Sequence, residues 1–203
     1  MSLPSLSSPR QIRQHCRHLR RGLGRAEQTG HSLAFLKLLG ESGLLLRDRR
    51  IGGYLAADGE LDLAPMIRLL QQRGTLFHLP VLRAYPDGKL WFVRHRPDGP
   101  LIANRFGIPE PPFRHQGALL PWTLDTLLLP LVAFDAECNR IGMGGGFYDR
   151  TLAYLRNRTV WRRPRLVGVA HECQRMPRLP LQPWDVPLDI VITESRIYTR
   201  PAA

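Results

Sequence analysis

The stretch Leu129-Pro-Leu-Val-Ala-Phe-Asp-Ala-Glu-Cys-Asn-Arg-Ile-Gly-Met-Gly-Gly-Gly-Phe-Tyr-Asp-Arg150 organises the reading of the chain. It opens on an apolar run with the character of a buried strand, passes through Gly142, Gly144, Gly145 and Gly146, and enters a helix expected over about 147–157. A strand, a glycine-rich turn and a helix in that order speak for an α/β layout. Glycine lets the backbone take positive φ and come close to a ligand, and the free N–H groups at a helix start favour an anion. Together these features predict a phosphate cradle.

Two well-known phosphate motifs do not fit. A Walker A loop needs Lys followed by Ser or Thr after its last glycine, whereas Gly146 is followed by Phe147 and Tyr148. The dinucleotide fingerprint needs a glycine where Phe147 stands. Without a ligand the segment would be an ordinary tight turn, but its charges point further. Arg140 precedes the glycines as a donor to phosphate oxygens, and Asp149 follows them in the first helical turn. A carboxylate beside bound polyphosphate is repelled unless a cation lies between them, and Mg2+ binds through one or two carboxylates plus phosphate oxygens. The alternative for Asp149 is a residue that merely favours the helix dipole.

Working outward, Arg10–Arg21 and Arg25–Leu39 read as two helices separated by Gly22 and Gly24. A strand over Ile51–Ala56, a helix over Ala64–Arg73 closed by Gly74, and a strand over Thr75–Pro80 follow. Tyr85-Pro-Asp-Gly-Lys89 is turn chemistry that predicts a hairpin into Leu90–Val93. Arg96–Trp122 is dense in Pro and Gly and reads as a long ordered loop of functional character. Strands at Leu127–Leu131, Leu166–Ala170 and, as the last one, Ile190–Thr193 complete a βαβ grammar that implies a largely parallel sheet covered by helices.

At 203 residues and 43% hydrophobic content, one domain is expected over 1–203, with 1–9 as a flexible N-terminal tail. No apolar run approaches the roughly 20 residues that span a bilayer, and Met1–Arg10 lacks the apolar core of a secretory signal. Cys16, Cys138 and Cys173 are an odd number with no C-x-x-C pair, which fits a reducing cytoplasm. The formal charge of +12 favours polyanionic or phosphate-bearing partners without choosing among them.

The quoted segment resembles the signature of the 5-formyltetrahydrofolate cyclo-ligase family, also called 5,10-methenyltetrahydrofolate synthetases. Gly53–Asp62, Phe106–Pro111, Val167–Gln174 and Leu179–Asp189 agree with further blocks of that family in the same order, so the resemblance spans nearly the whole chain. It implies a three-layer α/β/α sandwich with a mostly parallel central sheet, of the CoA-transferase-like kind. It implies ATP- and Mg2+-dependent closure of 5-formyltetrahydrofolate, with or without a polyglutamate tail, to 5,10-methenyltetrahydrofolate. Matched position by position, it implies that Arg10, Arg13, Arg140, Gly142, Met143, Gly144, Gly145 and Gly146 hold ATP, with Phe147 and Tyr148 at the junction with folate. Leu55, Glu60 and Phe106 match substrate contacts, Asp149 and Asp185 match Mg2+ positions, and Arg140 and Asp149 are the expected catalytic pair. A monomer without nucleic-acid or membrane partners is expected.

Two departures from the family pattern stand out. Pro9 takes the place of a lysine that usually precedes the pair matched by Ile12-Arg13, and Arg10 is the candidate substitute. Met143 and Gly145 stand where other members carry a basic residue in one or both places, so this loop relies more on backbone N–H groups, Arg140 and metal. The competing reading is a basic nucleic-acid-binding module, built on a stripe of Arg10, Arg13, Arg17, Arg20 and Arg21 along the first helix. Another ATP-dependent enzyme on a related sandwich is a second alternative. A metal hydrolase using His15, Cys16 and His18, or His171, Glu172 and Cys173, lacks the usual ligand spacing.

Overall fold

Leu127, Leu128 and Leu129 are all fully buried, which a strand achieves only when both faces of its sheet are covered. The computed structural model, which describes residues 8–82, 88–158, 160 and 163–201, places them on the middle strand of a seven-stranded sheet. In chain order the elements are α1 (Pro9–Gly22), α2 (Arg25–Ser42), β1 (Arg50–Gly52), α3 (Ala64–Gln72), β2 (Leu76–Leu82) and β3 (Leu90–Arg94). There follow β4 (Ile102–Ala103), β5 (Pro109–Glu110), β6 (Thr126–Pro130), β7 (Ala133–Phe134), β8 (Arg140–Ile141) and α4 (Phe147–Leu152). The last three are β9 (Arg165–Val169), β10 (Ile190–Ile192) and β11 (Ile197–Thr199).

The main sheet runs β11-β10-β9-β6-β1-β2-β3, parallel except at its two edges, where β3 and β11 pair antiparallel. Side chains alternate between its faces. Leu128, with Ile51 and Val167, packs on Phe35 and Leu39 of α2 and on Met66, Ile67 and Leu70 of α3. Leu127 and Leu129, with Leu166 and Val191, pack instead on Leu152 of α4 and Leu155 of the 3-10 turn that follows it. Each aliphatic side chain buried this fully contributes roughly 1.5–3 kcal/mol, so the β6 leucines bind both helical layers to the sheet. The result is the expected α/β/α sandwich.

Local chemistry sets the helix ends. Ser8 and Gln11 form a reciprocal capping box at the start of α1, with Pro9 in the first turn. The expected tail over 1–9 therefore lies outside the described residues except at Ser8 and Pro9, which belong to the helix start. The Asp62 carboxylate accepts the Ala64 N–H at 2.9 Å where α3 begins.

Several expectations needed correction. The strand expected to Ala56 stops at Gly52, because the chain turns at the carboxyl edge into the Asp58–Glu60 loop. Ile190–Thr193 is not the last strand, since β11 returns antiparallel on β10. The helix expected to 157 ends at Leu152 and tightens into a 3-10 turn over Ala153–Asn157. The long loop contains the small β4–β5 pair, a bridge from Leu119 to Phe92 and a 3-10 turn at Pro121–Thr123. A hairpin of β7 and β8 stands between β6 and the glycines, so the turn does not follow the strand directly. The predicted turn at 85–89 lies outside the described residues apart from Gly88 and Lys89, but the strands on either side of it pair antiparallel as expected.

From β1 the chain crosses to β2 on one side of the sheet, and from β6 it crosses to β9 on the other. Where crossovers diverge, the carboxyl ends of the strands leave a crevice, which is where open α/β sheets place ligands.

Candidate active site

Three segments meet at that crevice: the Gly53–Glu60 loop after β1, the Leu131–Gly146 segment after β6, and α1, which lies over both. Ile12 and Cys16 of α1 pack on Val132, Ala133 and Ile141 and on Met176 and Leu179. Arg20 ties the segments together. Its side chain is 0% exposed, and it donates to the Asp58 carbonyl at 2.9 Å, the Asp58 carboxylate at 2.8 Å and the Leu131 carbonyl at 3.1 Å. Arg17 donates to the same carboxylate at 2.8 Å, and Arg21 bonds it as well. Burial pushes the Asp58 carboxyl up, but these three guanidinium groups outweigh it and hold its pKa down at about 2. The proposed arginine stripe is thereby broken. Arg20 has no exposed surface, and three of its five members converge on one acid rather than facing an external polyanion.

The glycine turn has the shape a phosphate cradle needs. Gly144 and Gly146 take φ of +99° and +65°, a region costly for any side-chain-bearing residue. A methyl group at Gly142 would meet nothing within 4 Å, so the turn is open to an incoming group there. Arg13 reaches across from α1 and donates to the Gly142 carbonyl at 2.8 Å, so its guanidinium lies beside the turn. Arg150 donates to the Gly145 carbonyl at 2.8 Å and sits over the Phe147 ring at 5.1 Å. These two arginines bring positive charge to a loop whose positions 143 and 145 carry none. Arg13 was expected from the sequence. Arg150 was missed, although its place one turn into α4 was the available signal.

Arg140 is 8% exposed and donates to Asp149 through Nη2 at 2.7 Å, while its Nε is buried without a hydrogen-bond partner. An unpaired N–H on a buried guanidinium is costly and marks a place for another acceptor. The expected catalytic pair is thus in contact, and the anion cradle has an open donor. For Mg2+ the donor set is sparse but suitable, because this ion keeps several waters and takes one or two carboxylates beside phosphate oxygens. Asp149 supplies one carboxylate next to the cradle. Asp185 accepts the Gln182 N–H at 2.8 Å in its own loop. Among the described residues, these two acids do not share a cluster of three ligand-type side chains.

Tyr148 links the glycine turn to the β1 loop. The charges of Glu60 and Arg140 both act on its phenol, whose pKa is raised chiefly by burial. Burial also raises the Glu60 carboxyl, against the pull of Arg20 and of the hydrogen bond from the Ala57 N–H. Tyr54, which sequence reasoning missed, is buried among the same groups and donates to the Leu61 carbonyl at 2.9 Å, fixing the course of the loop. Phe106 stands edge-on to Phe147 with centroids 5.7 Å apart and is 55% exposed. Arg105 lies 5.0 Å over the Phe106 ring. An exposed aromatic in contact with the helix of the glycine turn is a ready wall for a flat ring. Leu55 is half-buried in the β1 loop, whereas Met143 and Arg10 are exposed, Arg10 in the first turn of α1. The geometry therefore brings together Arg13, Arg140, Gly142 to Asp149, Glu60 and Phe106, and shows no hydrogen bond or ion pair from Arg10 or Asp185 to that group among the described residues.

Comparison with known proteins gives a consistent result. The 5-formyltetrahydrofolate cyclo-ligase family profile matches residues 6–194. The 5-formyltetrahydrofolate cyclo-ligase of Escherichia coli K12 is 42% identical over 145 residues, covering 71% of this chain and 78% of its own length. That of Haemophilus influenzae is 38% identical over 190 residues, covering 90% and 96%. Among solved structures, the Aquifex aeolicus 5,10-methenyltetrahydrofolate synthetase superposes with a TM-score of 0.79 at 28% identity, covering 96% of this chain and 94% of that one. The chain belongs to the 5-formyltetrahydrofolate cyclo-ligase family.

Proposed function

We propose that the chain uses ATP, with Mg2+, to close 5-formyltetrahydrofolate to 5,10-methenyltetrahydrofolate, releasing ADP and phosphate. The observation that carries this reading is the convergence at Tyr148. Arg140 and its open Nε approach from the glycine turn, and Glu60 approaches from the β1 loop. A phosphate cradle and a substrate loop thus share one crevice.

The substrate dictates the chemistry. An N5-formyl group is an amide, so its carbon is a poor electrophile and its oxygen a poor leaving group. Attack of the formyl oxygen on the γ-phosphorus forms a new O–P bond as the bond to ADP breaks. N10 then adds to the activated carbon and gives up its proton. The C–O bond breaks, phosphate leaves with the former formyl oxygen, and the five-membered ring is closed. No side-chain nucleophile is required, and the protein's task is positioning and charge neutralisation.

Arg140 donates to the transferring phosphoryl group through its open Nε, a preorganised contact of a kind worth about 10²–10³ in rate. Arg13 and the amides of 142–146, with Met143 beside them, hold the polyphosphate. Asp149 would hold Mg2+ together with water and phosphate oxygens, and the ion when bound would neutralise phosphate charge. Glu60 accepts a hydrogen bond from the pterin, and Leu55, Phe106, Phe147 and Tyr148 line its faces. The reading takes 1–203 as a single domain, acting as a monomer in the cytoplasm on a folate with one or more glutamates, and without nucleic-acid or membrane partners. No helix among the described residues is long and apolar enough to cross a membrane.

The test uses substrate labelled with ¹⁸O in the formyl group, mixed with protein and Mg·ATP while methenyl absorbance is followed. The label is expected in the released phosphate. Absence of product would reject the activity, and product with unlabelled phosphate would reject the phosphorylation step.

A further inference from the structure

We propose that His31, His171 and Glu194 form a binding site for one divalent ion of the zinc class, separate from the nucleotide and folate residues. The three come from different elements. His31 lies on α2, and His171 and Glu194 each lie two residues beyond the end of a strand, β9 and β10 respectively. The two Nδ1 atoms are 2.9 Å apart, the Glu194 carboxylate is 3.8 Å from His31 Nδ1, and all three ligand atoms lie within 4.8 Å of one another.

A simple histidine pair explains this arrangement poorly. One Nδ1 can donate to the other, but that bond gives no role to the carboxylate oxygen that lies within 4.8 Å of both ring nitrogens. A carboxylate 3.8 Å away is too far to bond the pair directly. A tetrahedral ion with bonds of about 2.0–2.2 Å sets its ligand atoms about 3.3 Å apart, and the observed separations bracket that value. Turning the rings so that their Nδ1 lone pairs converge on one point, instead of facing each other, would complete the geometry.

The donor set also selects the ion. Two imidazoles and a carboxylate are a three-ligand zinc set with the fourth position open, and imidazole favours Zn2+, Ni2+ or Cu2+ over Mg2+. The Glu172 N–H donates to both oxygens of Glu194 at 3.2 and 3.0 Å, which fixes the carboxylate as an outer partner would. His31 and Glu194 are partly exposed and give an ion a way in, while His171 is fully buried. Binding would clamp α2 to the carboxyl ends of β9 and β10.

Metal-free protein, with no nucleotide or folate present, is titrated with Zn2+ against a chromophoric chelator. One equivalent is expected to bind and to raise the melting temperature. His31→Ala and Glu194→Gln, both partly exposed positions checked for folding by circular dichroism, are each expected to weaken binding by at least about tenfold. Cys173→Ser and a His15→Ala/His18→Ala double variant are expected to keep it. Co2+ loading is expected to give the visible spectrum of a four-coordinate site, lost in His31→Ala. No uptake by folded wild-type protein, uptake that survives both His31→Ala and Glu194→Gln, or loss of uptake in either control variant would overturn the proposal.

Discussion

Replacing Gly142 and Gly146 separately by alanine distinguishes glycines kept for a ligand from glycines kept for the fold. At Gly146 the backbone sits at φ +65°, and an added methyl would stand 2.7 Å from the Arg150 Nη1 atom, part of the group that holds the Gly145 carbonyl. A side-chain-bearing residue in that region costs about 1–2 kcal/mol, and Arg150 must also move, so Gly146→Ala should lower stability by at least that much. At Gly142 the methyl meets nothing within 4 Å. Stability should therefore hold or rise by about 0.4–1 kcal/mol as the unfolded chain loses freedom. Yet that methyl would project into the space assigned to phosphate. Losing one charge-assisted N–H bond there costs about 1.5–3 kcal/mol, which is roughly 10- to 150-fold in kcat/KM for ATP. Urea unfolding gives the stabilities, and methenyl absorbance at varied ATP gives the kinetics. Gly142→Ala with wild-type kcat/KM for ATP would refute the reasoning, because the amide at that position would then not line the nucleotide.

Arg140→Ala and Asp149→Asn should each reduce turnover by about 10²-fold or more while circular dichroism stays native; wild-type turnover in either folded variant removes that residue from the mechanism. Glu60→Gln should raise the melting temperature near neutral pH but increase KM for folate. Burial raises the carboxyl's folded pKa, so its favourable contribution is lost as pH climbs through that value, and the neutral amide avoids the cost; a lowered melting temperature would contradict this. Asp58→Asn tests the opposite sign. The arginines hold Asp58 at about 2, below its ordinary 3.8, so its stabilisation is full above pH 3.8 and is lost as pH falls towards 2. The gap between wild-type and variant unfolding free energies should narrow across that window, and parallel curves would rule the account out.

The sheet and its two helical layers were largely legible because β6 and β9 announce themselves as apolar runs bounded by turn residues, and α3 as an amphipathic run closed by Gly74. What misled was local propensity where tertiary contact decides. Gly53 to Ala56 reads as a strand but is drawn out of the sheet, because Tyr54 bonds Leu61 and the Asp58 turn is claimed by Arg17, Arg20 and Arg21. The same long-range pairing hid Arg20, which looks like one arginine of a solvent-facing stripe until Asp58, 38 residues away, is brought beneath it. The glycine cluster was readable because positive φ leaves a trace in residue type. The partnership of Arg140 with Asp149 could be inferred as proximity but not as a bond, and the meeting of His31 with His171 across 140 positions leaves no mark in the sequence.

Isothermal titration of ATP into magnesium-supplied protein, with and without 5-formyltetrahydrofolate, addresses the glycine turn most directly. One site is expected, weakened at least about tenfold in Gly142→Ala and Arg140→Ala. Well-folded wild-type protein that takes up no nucleotide, or both variants binding as tightly as wild type, would contradict the assignment of ATP to this turn.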